Sequence, residues 1–377
     1  MRHHPIPDHD EKEDVWSDWR WQLRRGIRSG DELAQQGFIS PEEAIALNLR
    51  GQRYKILITP YYLSLIDRSD PGCPIRLQSI PTVQEYEQVT SERVDPIGDH
   101  AHAPTEILVH RYPDRALLFP TFECPMYCRY CFRKETLNQA SIRLHSALPE
   151  SLDYLTQHPE IEELILSGGD PLMLPDERLY TLFKALDDTP IQRLRIHTRV
   201  PVTLPQRITH PLAELFEQIG RHRPLTLITH FNHPKELSPE AIIGLNRLRK
   251  TGITLLNQSV LLHRVNDDVT TLVTLSKSLH QAGVLPYYLH HPDLIVGTQH
   301  LRRSLRAGRE LFQTLRGHLS GYLIPRYVID IPGGAGKIEV MSEAVQAGDN
   351  EGEWWLRSPI DGSLHAYHDP AAQQERR

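Results

Sequence analysis

Cysteine is scarce in this sequence, with four in 377 residues. So few thiols in so long a chain exclude a disulfide-stapled scaffold. Long apolar runs are missing as well. No stretch approaches the roughly 18 residues of a membrane span, and the opening segment MRHHPIPDHDEKEDVW has no hydrophobic core of the secretory kind. A soluble, cytoplasmic protein with no membrane partner is expected. Positive charge is not in surplus either: 42 Lys and Arg face 48 Asp and Glu, for a net charge of −6. Nucleic acid is disfavoured as a partner, since phosphate binding needs an excess of Lys and Arg on some face. Low-complexity tracts and sequence repeats are absent too.

What is present divides the chain into three parts. Residues 1–105 read as a helical extension and connector, with Trp16, Trp19 and Trp21 near the start. Short helices are expected near 31–36 and 41–49 and at TPYYLSLID (59–67). From residue 106 to 325, short β-rich runs alternate with segments of helical periodicity. The runs are 115–122, 162–168, 193–198, 225–231, 253–262 and 284–290. From the second onward they recur at the spacing of a strand plus crossover helix, and Ser238-Pro239-Glu240 is a helix start. An α/β fold follows, a parallel sheet of six βα units curled into a full or partial barrel. Residues 326–377 form a carboxyl-terminal segment in which YVIDI (327–331) offers one more strand.

Polar residues suited to chemistry fall where these strands end. They are Cys124, Cys128 and Cys131 after the first, Ser167, Gly168, Gly169 and Asp170 after the second, and His197 and Arg199 after the third. His230 and Asn232 follow the fourth, Gln258 lies in the fifth, and Asp293 stands past the sixth. Parallel βα folds gather their active sites at the carboxyl ends of strands, so one site is expected. Three thiolates spaced C-x3-C-x2-C suit a soft metal. Zinc wants a closed set of four ligands, whereas a [4Fe–4S] cluster on three Cys keeps one iron open. With no fourth Cys nearby, the open cluster is favoured over zinc and over unrelated core thiols. Farther on, Asp330-Ile-Pro-Gly-Gly-Ala-Gly-Lys337 fails as a nucleotide loop, because Ile331 and Ile338 stand where glycine and a hydroxyl belong. Small neighbours would let a bulky aldehyde reach the Lys337 amine; a plain turn lysine is the alternative.

The cysteine motif, with an aromatic before its last Cys, resembles that of the radical S-adenosylmethionine (SAM) enzymes, and SGGDPL (167–172) is similar to their glycine-rich turn. A longer series resembles the lysine 2,3-aminomutase family in order: WSDWRWQLR (16–24), ITPYYLSLID (58–67), HRYPDRALL (110–118), CPMYCRYC (124–131), LSGGDPL (166–172), RVPVTLPQRIT (199–209), THFNHPKE (229–236), NQSVLLHRVND (257–267), LRGHLSGY (315–322) and PRYVIDIPGGAGK (325–337). The resemblance implies a partial (β/α)6 barrel of the radical SAM type. It implies a [4Fe–4S] cluster on Cys124, Cys128 and Cys131, SAM on the open iron, and pyridoxal 5′-phosphate (PLP) on Lys337. The implied activity is an isomerase that moves the α-amino group of L-lysine to the β-carbon through a PLP aldimine and a 5′-deoxyadenosyl radical. Breaking an unactivated C–H bond is beyond any side-chain base, which is why a radical is needed.

Site roles follow from the same resemblance. Arg133 matches the arginine that pairs with the substrate carboxylate. Asp293 and Asp330 match the acids that receive the distal ammonium; as plain alternatives, Asp293 would sit in a solvated turn and Asp330 would cap the glycine loop. Arg111, Tyr112 and Arg115 match PLP contacts, while Ser167, Gly168, Gly169, Asp170, His230 and Gln258 match SAM contacts. Expected partners are an amino acid substrate, a reductant such as flavodoxin or ferredoxin, and further copies of the chain docked through the Trp cluster. Relatives that bind a structural zinc carry Cys where this chain has NDD (266–268) and in the tail, so no zinc is expected. CRYCFRK (128–134) leans toward the branch that makes β-lysine for elongation factor P, while the Trp-rich helix and PGGAGK (332–337) lean toward the longer branch. His290-His291-Pro292 before Asp293 bears on selectivity: arginine is the alternative substrate, and glutamate a weaker one. A non-catalytic zinc or electron-transfer protein, or a SAM- and PLP-dependent paralogue with other chemistry, are the competing readings.

Overall fold

The structure, a computed structural model, describes residues 15–49, 51, 54–87, 89–139 and 144–373. The polar opening segment lies mostly outside them. Runs of Leu and Ile form β2 (Arg115–Leu118), β3 (Glu163–Leu166), β4 (Arg193–His197), β5 (Leu225–Thr229), β6 (Thr254–Val260), β7 (Leu285–His290) and β8 (Arg326–Asp330). Each pairs in parallel with the next. Helices connect them, each able to lie against the sheet only through a right-handed crossover. Thr209, Ser238, Asp268 and Ser304 cap four of these helices by accepting a backbone N–H from the first turn. The face toward the helices is apolar: Leu164, Leu166, Ile196 and Leu227 have no exposed surface, which stabilises by about 2 kcal/mol each.

Two antiparallel strands border this parallel core. β1 (Leu108–Tyr112) forms a hairpin with β2, and β9 (Lys337–Glu339) folds back on β8. The strand order follows the chain from β1 to β9 without the edges pairing, so the sheet is a curled, open barrel. The 326–377 segment is thus split: β8 and β9 extend the main sheet, while β10 (Val345–Ala347), β11 (Glu353–Arg357) and β12 (Leu364–His368) make a separate one.

The run read as 115–122 leaves the ladder after Leu118 for a physical reason. Thr121 and Glu123 turn their carbonyls to the N–H groups of Gly169 and Asp170. That approach is so close that a Cβ on Gly169 would lie 2.5 Å from the Glu123 carbonyl oxygen. In the connector, the short helices fall at Gly30–Gln35, Pro41–Leu49 and Pro60–Ser64. Thr59, Tyr61 and Tyr62 bond to Thr203, Ser238 and Glu236, tying it to the barrel. Trp16, Trp19 and Trp21 are half-buried, and Trp19 packs against the Arg207 guanidinium. Their half-burial reduces the exposed aromatic surface on which the docking expectation rests. Among the described residues, no helix is long and apolar enough to cross a membrane.

Candidate active site

The cysteine loop follows β2 and is anchored by buried charge. Arg129 donates to Glu85 (2.8 Å) and Lys134 donates to the same carboxylate (3.1 Å). Burial alone would raise the Glu85 pKa, but the two cations outweigh it and hold the group down at about 2. Arg199, past β4, donates to Cys128 Sγ at 2.8 Å and pairs with Glu236 at 2.7 Å. Burial and repulsion from neighbouring carboxylate and thiol groups push the Cys124 thiol well up, and burial with Cys128 nearby pushes Cys131 to about 11. The three sulfurs therefore sense one another. Among the described residues, however, no three His, Cys, Asp or Glu side chains converge on a single-ion point. An all-thiol donor set is soft, and three cysteines leave one iron of a [4Fe–4S] cluster open, so the residues present fit that group.

Asp170 holds two turns together. Its carboxylate accepts from Leu172 N, Thr198 Oγ1, Arg199 N and Val200 N, clamping the turns after β3 and β4 together. Gly168 adopts φ +97° where a Cβ would meet Phe119 and Thr121. His230 shares a 3.2 Å hydrogen bond with Tyr130 of the cysteine loop, and burial pushes its pKa down to about 3. Gln258 is half-buried on β6.

The other half of the site is built by strand register. Asp330 and Lys337 face each other across β8 and β9 and form an ion pair. The Lys337 backbone N–H donates to the Tyr112 hydroxyl at 2.9 Å, bringing the tip of the β1–β2 hairpin to the lysine. Arg115 lies over the Tyr112 ring, 3.7 Å from its centroid. Asp293 adjoins them: burial and then the Asp330 charge raise its pKa to about 7, against the pull of Lys337, Arg133 and Arg302. Arg133 donates to Asp99 (3.0 Å) and Ser167 (3.2 Å) and lies over the Phe119 and Phe132 rings. Arg111 Nε and His197 Nε2 are among the buried polar atoms of the described residues that have no hydrogen-bond partner. Such orphans fit a site completed by a polar cofactor or substrate.

One sequence-based reason is corrected. The glycine loop is not bare to admit a ligand at every position, because Cβ atoms on Gly334 and Gly336 would meet His102 and Pro359 at 2.8 Å. With φ of +92° and +107°, these glycines serve a tight, protein-packed turn.

Three contributors were missing from the expected set. Asp99 accepts from both Arg111 (2.7 Å) and Arg133; it lies in the Pro-broken connector with no motif to mark it. His290 Nδ1 stands 3.3 Å from Lys337 Nζ. Tyr288 presents its ring 5.6 Å from the same nitrogen. The bulge at Tyr287 in β7 turns Tyr287 and Tyr288 to one face, where their rings lie 3.7 Å apart.

Family models match on both halves: one described as Radical SAM superfamily over residues 118–274, and one described as Lysine-2,3-aminomutase over 312–376. The L-lysine 2,3-aminomutase of Acetoanaerobium sticklandii is 39% identical, with 96% of this chain and 86% of that protein covered. This chain belongs to the lysine 2,3-aminomutase family. The Clostridium subterminale L-lysine 2,3-aminomutase is also 39% identical, over 94% of this chain and 85% of its own. The glutamate 2,3-aminomutase of Clostridioides difficile is 36% identical, over 88% and 78%. As a member of the lysine 2,3-aminomutase family, the chain is an aminomutase, an isomerase of the radical SAM class.

Proposed function

We propose that this aminomutase converts L-lysine into β-lysine, with SAM on an iron–sulfur cluster held by Cys124, Cys128 and Cys131, and PLP on Lys337. The observation that carries the reading is the Lys337–Asp330 ion pair, with Asp293 near enough to feel the charges of Asp330, Lys337 and Arg133. Bound SAM supplies a radical able to take hydrogen from an unactivated carbon, and PLP supplies a π system for the migrating nitrogen. Arg133, already oriented by Asp99 and Ser167, is suited to hold the substrate carboxylate. Asp293 and Asp330 repel each other; a distal ammonium relieves that repulsion, whereas a glutamate side chain adds a third carboxylate. This charge logic favours lysine over glutamate. Ser167 through Asp170, His230 and Gln258 are assigned to SAM, and Arg111, Tyr112 and Arg115 to PLP. A low-potential flavodoxin or ferredoxin suits the electron supply.

The test is anaerobic reconstitution with iron, sulfide, SAM, PLP and a reductant, followed by separate incubations with L-lysine, L-arginine and L-glutamate. β-Lysine is the expected product. Asp293→Asn and Asp330→Asn should each lower kcat/KM for lysine by roughly 10- to 100-fold, the effect of losing one charged hydrogen bond. Turnover of arginine or glutamate without lysine turnover would overturn the assignment.

A further inference from the structure

The Lys337 amine has two acceptors, Asp330 across the β8–β9 register and His290 Nδ1 at 3.3 Å on the end of β7. To bond to an aldehyde carbon, a protonated amine must first lose a proton. Asp330, as the ion-pair partner of the ammonium, favours its keeping the proton, whereas the neutral ring of His290 can accept one. On the reading above, Asp330 is also drawn toward the substrate's distal ammonium. That leaves His290 as the acceptor free for the task. The groups facing its ring are Lys337 on β9, Asp330 at 3.9 Å on β8, Tyr288 on its own strand, and His197 and His230 at the ends of β4 and β5. Burial first, then the Lys337 charge and the two neighbouring histidines, push the His290 pKa well down, so the ring is present as a neutral acceptor. Moving a proton from Lys337 to His290 removes the second of these causes at the moment of transfer.

We propose that His290 is a catalytic acid–base for Lys337, taking a proton from its ammonium as the amine engages the PLP aldehyde and giving one back to Lys337 when the substrate amine displaces the lysine. This rests on the reading that PLP is carried on Lys337. The balance is complete without any oxidant. Lys337 gives one proton to His290 Nδ1, and its nitrogen then forms a double bond to the aldehyde carbon. The carbonyl oxygen leaves as water with the two remaining amine hydrogens. His290 then releases its proton to water. In exchange, the substrate ammonium gives its extra proton to the neutral ring, and its nitrogen takes over the carbon while its two remaining hydrogens pass to the Lys337 nitrogen. Lys337 departs as an amine that recovers the extra proton from His290.

The test follows the rate at which PLP becomes fixed on Lys337, by borohydride quenching at timed intervals and peptide mapping, in the wild type and in His290→Gln and His290→Ala. His290→Gln keeps a hydrogen-bond acceptor without a base. Its capture rate at pH 7 should fall roughly 100-fold, the lower end of general-base catalysis. Raising the pH should restore it, and added imidazole should restore capture in His290→Ala. A His290→Gln rate equal to the wild type, or slow capture in His290→Ala that neither pH nor imidazole restores, would overturn the proposal. Wild-type protein with no label on Lys337 would instead refute the PLP reading itself, and circular dichroism of the variants separates misfolding from lost chemistry.

Discussion

At the residue scale, Asp293 has the clearest pH signature. Its folded-state pKa is raised to about 7, above the ordinary value near ~4. The fold therefore prefers the protonated carboxyl. Its contribution to stability is whole below about pH 4 and is lost as the pH rises through 7. The buried histidines, with lowered values, act in the opposite direction below pH 6.5, so the comparison has to be made against a variant. Asp293→Asn, which cannot ionise, should gain stability relative to the unliganded wild type between pH 5 and pH 8 in urea titrations. An unchanged difference at the two pH values would contradict the assignment. Lys337 and the three cysteines stand out in the sequence because the spacing of their motifs is local. Asp99 and His290 do not. Asp99 meets Arg133 across 34 positions of chain, and His290 meets Lys337 only because β7, β8 and β9 lie side by side.

At the scale of elements, every run read as a strand between 115 and 290 forms one, and YVIDI supplies β8. Periodicity and turn residues suffice where a strand is buried by its neighbours. β1, β9 and the small β10–β12 sheet escaped the reading. They are short, lie at an edge or outside the main sheet, and take their pairing from hairpins rather than from an apolar pattern. The cysteine loop shows how an irregular element is held in place: Glu85 bonds both Arg129 and Lys134, which lie on either side of its last cysteine. Removing the Glu85 charge leaves two cations buried, at a cost of roughly 3–5 kcal/mol. Glu85→Gln should bind less iron on anaerobic reconstitution and melt at a lower temperature than the wild type; undiminished iron content would mean that the loop holds its shape alone.

At the scale of the whole molecule, the connector, barrel and carboxyl-terminal sheet share buried contacts. Tyr62 in the connector bonds Glu236 behind β5, and Asp369 past β12 accepts from Leu305 N at the start of a barrel helix. Leu289 and Ile329 of the barrel pack in one cluster with Leu356 and Tyr367 of the small sheet. Among the described residues, the carboxyl-terminal sheet has no buried cluster apart from the one it shares with the barrel. Scanning calorimetry of the metal-free chain should show one transition, and a separate early peak would mark the carboxyl-terminal sheet as an independent unit.

The pairing of Asp330 with Lys337 depends on counting. Between them lie the residues 331–336, and the strand period of two decides which face each side chain takes. A single residue inserted into or deleted from that loop, with the pairing of β8 and β9 shifted by one to match, would leave every site residue present. It would also turn Lys337 to the opposite face of the sheet from Asp330, away from His290. Over this stretch the loop is constrained in its length as much as in its chemistry: it is a spacer whose parity sets which side of the barrel wall the amine is on.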